Sequence, residues 1–186
     1  MSQKHFDNNF EVNSNNWNDH RLFTGVKKLD NTNPPTETSY KGGYVLAFAS
    51  NPDQKMYLTG QMPHDWEEGT DIEVHLHLAI PVAGSGVGVE NVKFDMTHSW
   101  ANIGDAFPGE SSITGTLDIQ DELVDASPLI NIETISGAGK TFSSIIIFSL
   151  TRDTGVANDY AHPIYVTDAD FHYKRNKLGT TTVNTP

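Results

Sequence analysis

Between Gln61 and Ile80 the chain reads QMPHDWEEGTDIEVHLHLAI, and the second half of that stretch alternates strictly. Ile72, Val74, Leu76, Leu78 and Ile80 take one parity, while Glu73, His75 and His77 take the other. Side chains of a strand point to opposite faces with a period of two. The segment therefore predicts a half-buried β-strand with two imidazoles side by side on its polar face. Its entry, with Pro63, Asp65, Glu67, Glu68 and Gly69, is polar and turn-prone. Histidines at i and i+2 fit metal ligation, a pH-sensitive contact or ordinary surface.

The same kind of run recurs along the chain. Strands are expected near residues 44–49, 55–61, 72–80, 91–100, 112–119, 129–135, 142–151 and 164–173. The breaks carry turn chemistry: Asn51-Pro52-Asp53, a stretch with Gly84, Gly86 and Gly88, and Ser136-Gly137-Ala138-Gly139. No helix-period stretch of useful length interrupts them. This spacing predicts an all-β fold, an antiparallel β-sandwich of jelly-roll type over residues 41–186.

Residues 1–40 read differently. They are rich in Asn, Asp, Thr and Ser, and their short apolar pieces cannot by themselves offset the entropy of ordering. An extended polar N-terminal arm is expected, ordering against a neighbour, with Trp17, Leu22 and Phe23 as its partner-binding anchors.

Composition narrows the functional classes. The 186 residues contain no cysteine, which excludes disulfides and thiolate zinc sites. A net charge of -12 disfavours direct binding to nucleic acid. No window approaches the roughly 18 consecutive apolar residues of a spanning helix, so no membrane partner is expected. Residues 1–16 show no apolar signal segment.

Several patterns invite a chemical reading. Gly69-x5-His75-x-His77 is similar to the opening of the cupin metal motif, but residues 78–85 (LAIPVAGS) supply no carboxylate and no second motif is recognisable. The expectation is no metal and no cofactor, with His75 and His77 on a surface or interface strand. His98 shares its parity with Val92, Phe94, Met96 and Trp100 and reads as a core or sheet-interface histidine. Asp168, Asp170 and His172 share a parity with Ile164 and Val166. They fit either a cation site or a polar outer face guarding an edge. Gly139-Lys140-Thr141 ends like a phosphate loop, but Thr134 stands where its first glycine belongs and no helix follows, so a hairpin turn is expected. There is no Gly-x-Ser-x-Gly elbow and no His-Glu-x-x-His motif, and enzyme activity is not expected. Carbohydrate binding would need exposed aromatics, for which Trp66, Trp100, Tyr160 and Tyr165 are the candidates.

QMPHDWEEGTDIEVHLHL also resembles a Pro-His-x-Trp-x-Glu-Gly-Thr-Asp-Ile-x-x-His-x-His segment of tailed-bacteriophage virion structural proteins. The likeness continues in WANIGDAFP (100–108), in 145–153, in Asp159-Tyr160, and in Asp168-Ala-Asp170-Phe-His172-Tyr173 with Leu178-Gly179. Upstream, Asn16-Trp17-Asn18-Asp19 looks like that family's Trp-Asp entry, while Leu78 stands where its members tend to carry an aromatic. The resemblance implies a non-enzymatic virion component, made in the host cytoplasm. The leading expectation is a capsid cement or decoration protein that forms a homotrimer on the major capsid protein and stabilises the shell. A neck, tail or fibre-associated role is the alternative, with a cupin-like metalloprotein or a carbohydrate-binding module behind it. His64, Trp66, His75 and His77 are the expected oligomer-interface residues.

Overall fold

The computed structural model describes residues 16–23 and 27–175, and they form two antiparallel sheets. The strands are β1 (Asn16–Arg21), β2 (Lys27–Leu29), β3 (Thr36–Tyr40), β4 (Gly43–Phe48), β5 (Lys55–Gln61), β6 (Ile72–Ala79), β7 (Asn91–Ala101), β8 (Ser111–Asp118), β9 (Leu129–Ile135), β10 (Ile145–Arg152) and β11 (Ile164–Arg175). The first sheet runs β3-β4-β11-β6-β9, with β1 also paired to β11, and the second runs β2-β5-β10-β7-β8.

All eight strands expected from alternation are present. Without β1–β3, the strands divide into two four-stranded orders, β4-β11-β6-β9 and β5-β10-β7-β8, and every successive pair except β7–β8 crosses from one sheet to the other. That is a jelly-roll sandwich. The inward positions of both sheets build one core, in which Phe48, Phe94, Phe148, Phe171 and Trp66 are all fully or almost fully buried. On β10, Ile146, Phe148 and Leu150 are buried in the core, while Ile147 on the opposite face is 41% exposed.

Four expectations need correction. The polar segment is not a detached arm where it is described, because β1 pairs with β11, β2 with β5 and β3 with β4. A short polar strand can add to an existing edge because the partner supplies the hydrogen-bonding ladder. Leu22 is fully buried in the chain's own core, so it is unavailable as an anchor for a partner. Ile164 and Val166 do not share a face with Asp168: the β6–β11 register shifts between Val166 and Asp168, leaving Thr167 as the extra residue. A bulge of this kind inverts parity, so Val166 faces the core while Asp168, Asp170 and His172 turn outward. Lastly, Gly139-Lys140-Thr141 lies in a crossover rather than a hairpin, since β9 and β10 belong to different sheets.

Candidate functional site

The entry to β6 folds as a clasp. Within it, the Trp66 amide donates to the Pro63 carbonyl (3.2 Å), the Thr70 amide to the Glu67 carbonyl (3.1 Å), and the Trp66 indole to Thr70 Oγ1 (3.0 Å). Gly69 takes φ +79°, the left-handed conformation that closes such a turn at little cost only for glycine. Outward bonds tie the clasp to two distant segments. The Glu67 amide donates to the Lys174 carbonyl (2.8 Å), and Tyr173 Oη donates to Asp65 Oδ1 (3.0 Å). Burial, reinforced by Asp65, pushes the Tyr173 phenol up to about 12. On the β9–β10 crossover, the Phe142 amide donates to Glu68 Oε1 (2.8 Å) and the Gly137 amide to Asp71 Oδ1 (3.2 Å). A Cβ at Gly137 would lie 2.0 Å from the Thr70 carbonyl oxygen, so the two backbones meet there with no room for a side chain.

Two expected interface residues are drawn into this clasp. Trp66 is fully buried, which removes it from any oligomer contact. His64 is half-buried; its ring packs 5.1 Å from Phe142 and bonds Ser143 Oγ at 2.6 Å.

Beyond the clasp, the outward positions of β1, β11 and β6 line up. The registers set Asp19 beside His172 and Glu73, Arg21 beside Asp170 and His75, and Asp168 beside His77. His172 Nε2 lies 3.3 Å from His75 Nδ1, 3.0 Å from Asp19 Oδ1 and 3.8 Å from Asp170 Oδ2. His77 Nε2 approaches Asp170 Oδ2 at 3.5 Å, and Arg21 pairs with Asp168. Burial depresses the His75 pKa, the neighbouring His172 adds to that, and Asp170 and Glu73 oppose it. His75 is 6% exposed, too covered to present itself to another subunit, whereas the His77 side chain is 44% exposed. This face joins residues the sequence reading held apart, the His-x-His pair and the Asp-x-Asp-x-His stripe. Glu73, of the same parity as His75, and Asp19 complete it, and only Asp19 gave no signal in the sequence.

The outer face of the second sheet is different in kind. Tyr57, Ser149 and Thr97 share one rung and Thr59, Ile147 and Ser99 the next. Tyr57, Thr97, Ser99, Ile147 and Ser149, with the loop that carries Phe107, line an open groove of about 360 Å³. Tyr57, Phe107 and Ile147 are 36–48% exposed along it. The Tyr57 hydroxyl donates to Asp30 Oδ1 (2.9 Å), which fixes the ring, and that bond to the carboxylate raises the phenol's pKa. Ser99 Oγ holds the Pro108 carbonyl at 2.7 Å.

No protein-family model matches the chain, and no curated protein does. Solved structures align with it at low identity. A Paenibacillus sp. cycloisomaltooligosaccharide glucanotransferase aligns at 12% identity with TM-score 0.43, over 82% of this chain but only 18% of that enzyme. The C-terminal family 22 carbohydrate-binding module of Clostridium thermocellum Xyn10B aligns at 10% identity with TM-score 0.38, over 90% of this chain and 89% of the module. The enzymatically active domain of bacteriophage CBA120 tailspike protein 4 aligns at 9% identity with TM-score 0.38, covering 87% of this chain and 20% of that one.

Of the aromatics expected to meet a sugar, Trp66, Trp100 and Tyr160 are at most 3% exposed. They are core residues, and Tyr165 is half-buried. The aromatics that line the open groove on the second sheet are Tyr57 and Phe107, neither of them among those candidates. Tyr57 carried a usable signal in its outward parity on β5; Phe107, on a loop, carried none.

Proposed function

We propose that this chain is a non-enzymatic structural protein of a tailed-bacteriophage virion, acting by contact. The observation that carries this reading is the fate of the resembling segment. Its Asp65, Trp66, Glu67, Glu68 and Thr70 all take part in closing the sandwich, which is how a segment that marks a structural family behaves. Within that reading, a homotrimeric cement or decoration role on the major capsid protein is the leading form, and a neck, tail or fibre position is the alternative. A protein that binds an assembled lattice and not its free subunits stabilises the lattice in proportion to occupancy. Surface anchors come from exposed apolar side chains such as Trp17 (45%) and Tyr44 (81%). Quantitative mass spectrometry of purified particles tests the proposal. Lattice-scale copy numbers support a cement role and a handful of copies a tail or vertex position. Absence of the chain from intact particles rejects both.

The groove over the second sheet favours a second reading, glycan recognition, because aromatic rings beside serine and threonine hydroxyls suit a sugar's apolar face and its hydroxyl rim. Glycan-array binding lost in Tyr57→Ala and Phe107→Ala would establish it, and a blank array would remove it.

A further inference from the structure

We infer that the outer face of the first sheet holds a divalent transition-metal ion of the zinc class, bound by His75, His172, Asp170 and Asp19 with Glu73 alongside. Ligand atoms of Glu73, His75 and His172 lie within 4.8 Å of one another, and so do those of Asp19, Asp170 and His172. The two groups share His172, and its Nε2 is the common point. Its separations of 3.0, 3.3 and 3.8 Å from Asp19, His75 and Asp170 are near the ligand–ligand spacing around a four-coordinate ion, about 3.4 Å for bonds of about 2.1 Å, and an ion beside His172 would draw the two groups together.

An independent observation points to a ligand. Asp170 is 4% exposed, yet among the described residues its Oδ1 has no hydrogen-bond partner, and its Oδ2 is approached at 3.5 Å by His77 and at 3.8 Å by His172. A carboxylate taken out of water and left half-bonded is costly unless a cation compensates it. Arg21, opposite Asp170 in the β1–β11 register, pairs with Asp168. Imidazole nitrogens beside carboxylates select zinc-class ions over calcium or magnesium, which take oxygen donors.

The donors come from three strands: Asp19 from β1, Glu73 and His75 from β6, Asp170 and His172 from β11. The ion therefore fastens the N-terminal strand to the sandwich. That role is separate from the virion reading, and neither depends on the other.

The test uses the untagged full-length chain, stripped with chelator and titrated with zinc chloride by calorimetry, then with cobalt(II) by visible absorption. One equivalent should bind, the cobalt spectrum should be that of a four-coordinate ion, and zinc should slow amide exchange across β1. His172→Ala and Asp170→Asn should each weaken zinc binding by more than about 100-fold, while His162→Ala, outside the cluster, should not. His75→Gln serves as a second variant if His172→Ala does not fold. Wild-type protein that binds neither zinc nor cobalt, or a folded His75→Gln variant that binds as tightly as wild type, would overturn the inference.

Discussion

The twenty residues from Gln61 to Ile80 contain two regions with opposite fates. In the clasp, Asp65, Trp66, Glu67, Glu68, Thr70 and Asp71 each have a fixed partner within the fold, on β11, on the β9–β10 crossover or within the turn itself. A few residues later, Glu73, His75 and His77 leave the core side of β6 and meet only side chains of the same outer face. The first region constrains its residue types at Asp65, Trp66, Glu68, Thr70 and Asp71, whose side chains make partly buried hydrogen bonds, while Glu67 bonds through its backbone. The second is free to vary as long as the inward parity is kept. A recognisable motif can therefore report the architecture, while the chemistry lies in the less distinctive positions that follow it.

The largest test of that contrast is Trp66→Ala against His77→Ala. Removing a fully buried indole and its bond to Thr70 should cost about 3–5 kcal/mol in urea unfolding. Removing a half-exposed imidazole with one weak ion pair should cost less than about 1 kcal/mol. Equal costs would erase the distinction.

Leu22→Ala against Trp17→Ala carries it into the N-terminal segment. Leu22 in the core should cost about 2–5 kcal/mol. Trp17, 45% exposed and lying over the Lys174 ammonium at 5.5 Å, should cost about 0.5 kcal/mol or less of fold stability. For the same reason, deleting residues 1–40 should destabilise the sandwich instead of releasing an intact domain.

The smallest effect sharpens the boundary between inward and outward positions. His98 has an inward parity and a buried Nδ1 that has no hydrogen-bond partner among the described residues, and burial above all, with Lys140 second, holds its pKa below the ordinary 6.5. The folded chain then keeps it neutral where the unfolded chain would take up a proton. Its contribution is complete above pH 6.5 and declines as pH falls from there toward the depressed folded value. A His98→Gln variant should flatten the stability profile in that window; an unchanged slope would show that His98 is solvated.

Much of the architecture was legible because eight strands bury one face and write that burial as alternation. β1 (NWNDHR) and β2 (KKL) were not, since they are short, polar and stabilised by a partner's edge. The bulge at Thr167 left no mark in the sequence either, so Asp168, Asp170 and His172 were assigned a face with Ile164 and Val166 that they do not share. Three of the four proposed metal ligands, His75, Asp170 and His172, were visible in His-x-His and Asp-x-Asp-x-His. Their meeting depends on the β6–β11 register, and Asp19 arrives only through a strand pairing more than 150 positions distant in sequence.

A reconstruction of the intact particle tests the central proposal most directly. The account predicts density for this two-sheet sandwich at a repeated position on the virion, the clasp enclosed within each copy and the contacts made by outward faces. Particles that lack the sandwich, or copies joined through an opened clasp with Trp66 in the interface, would contradict it.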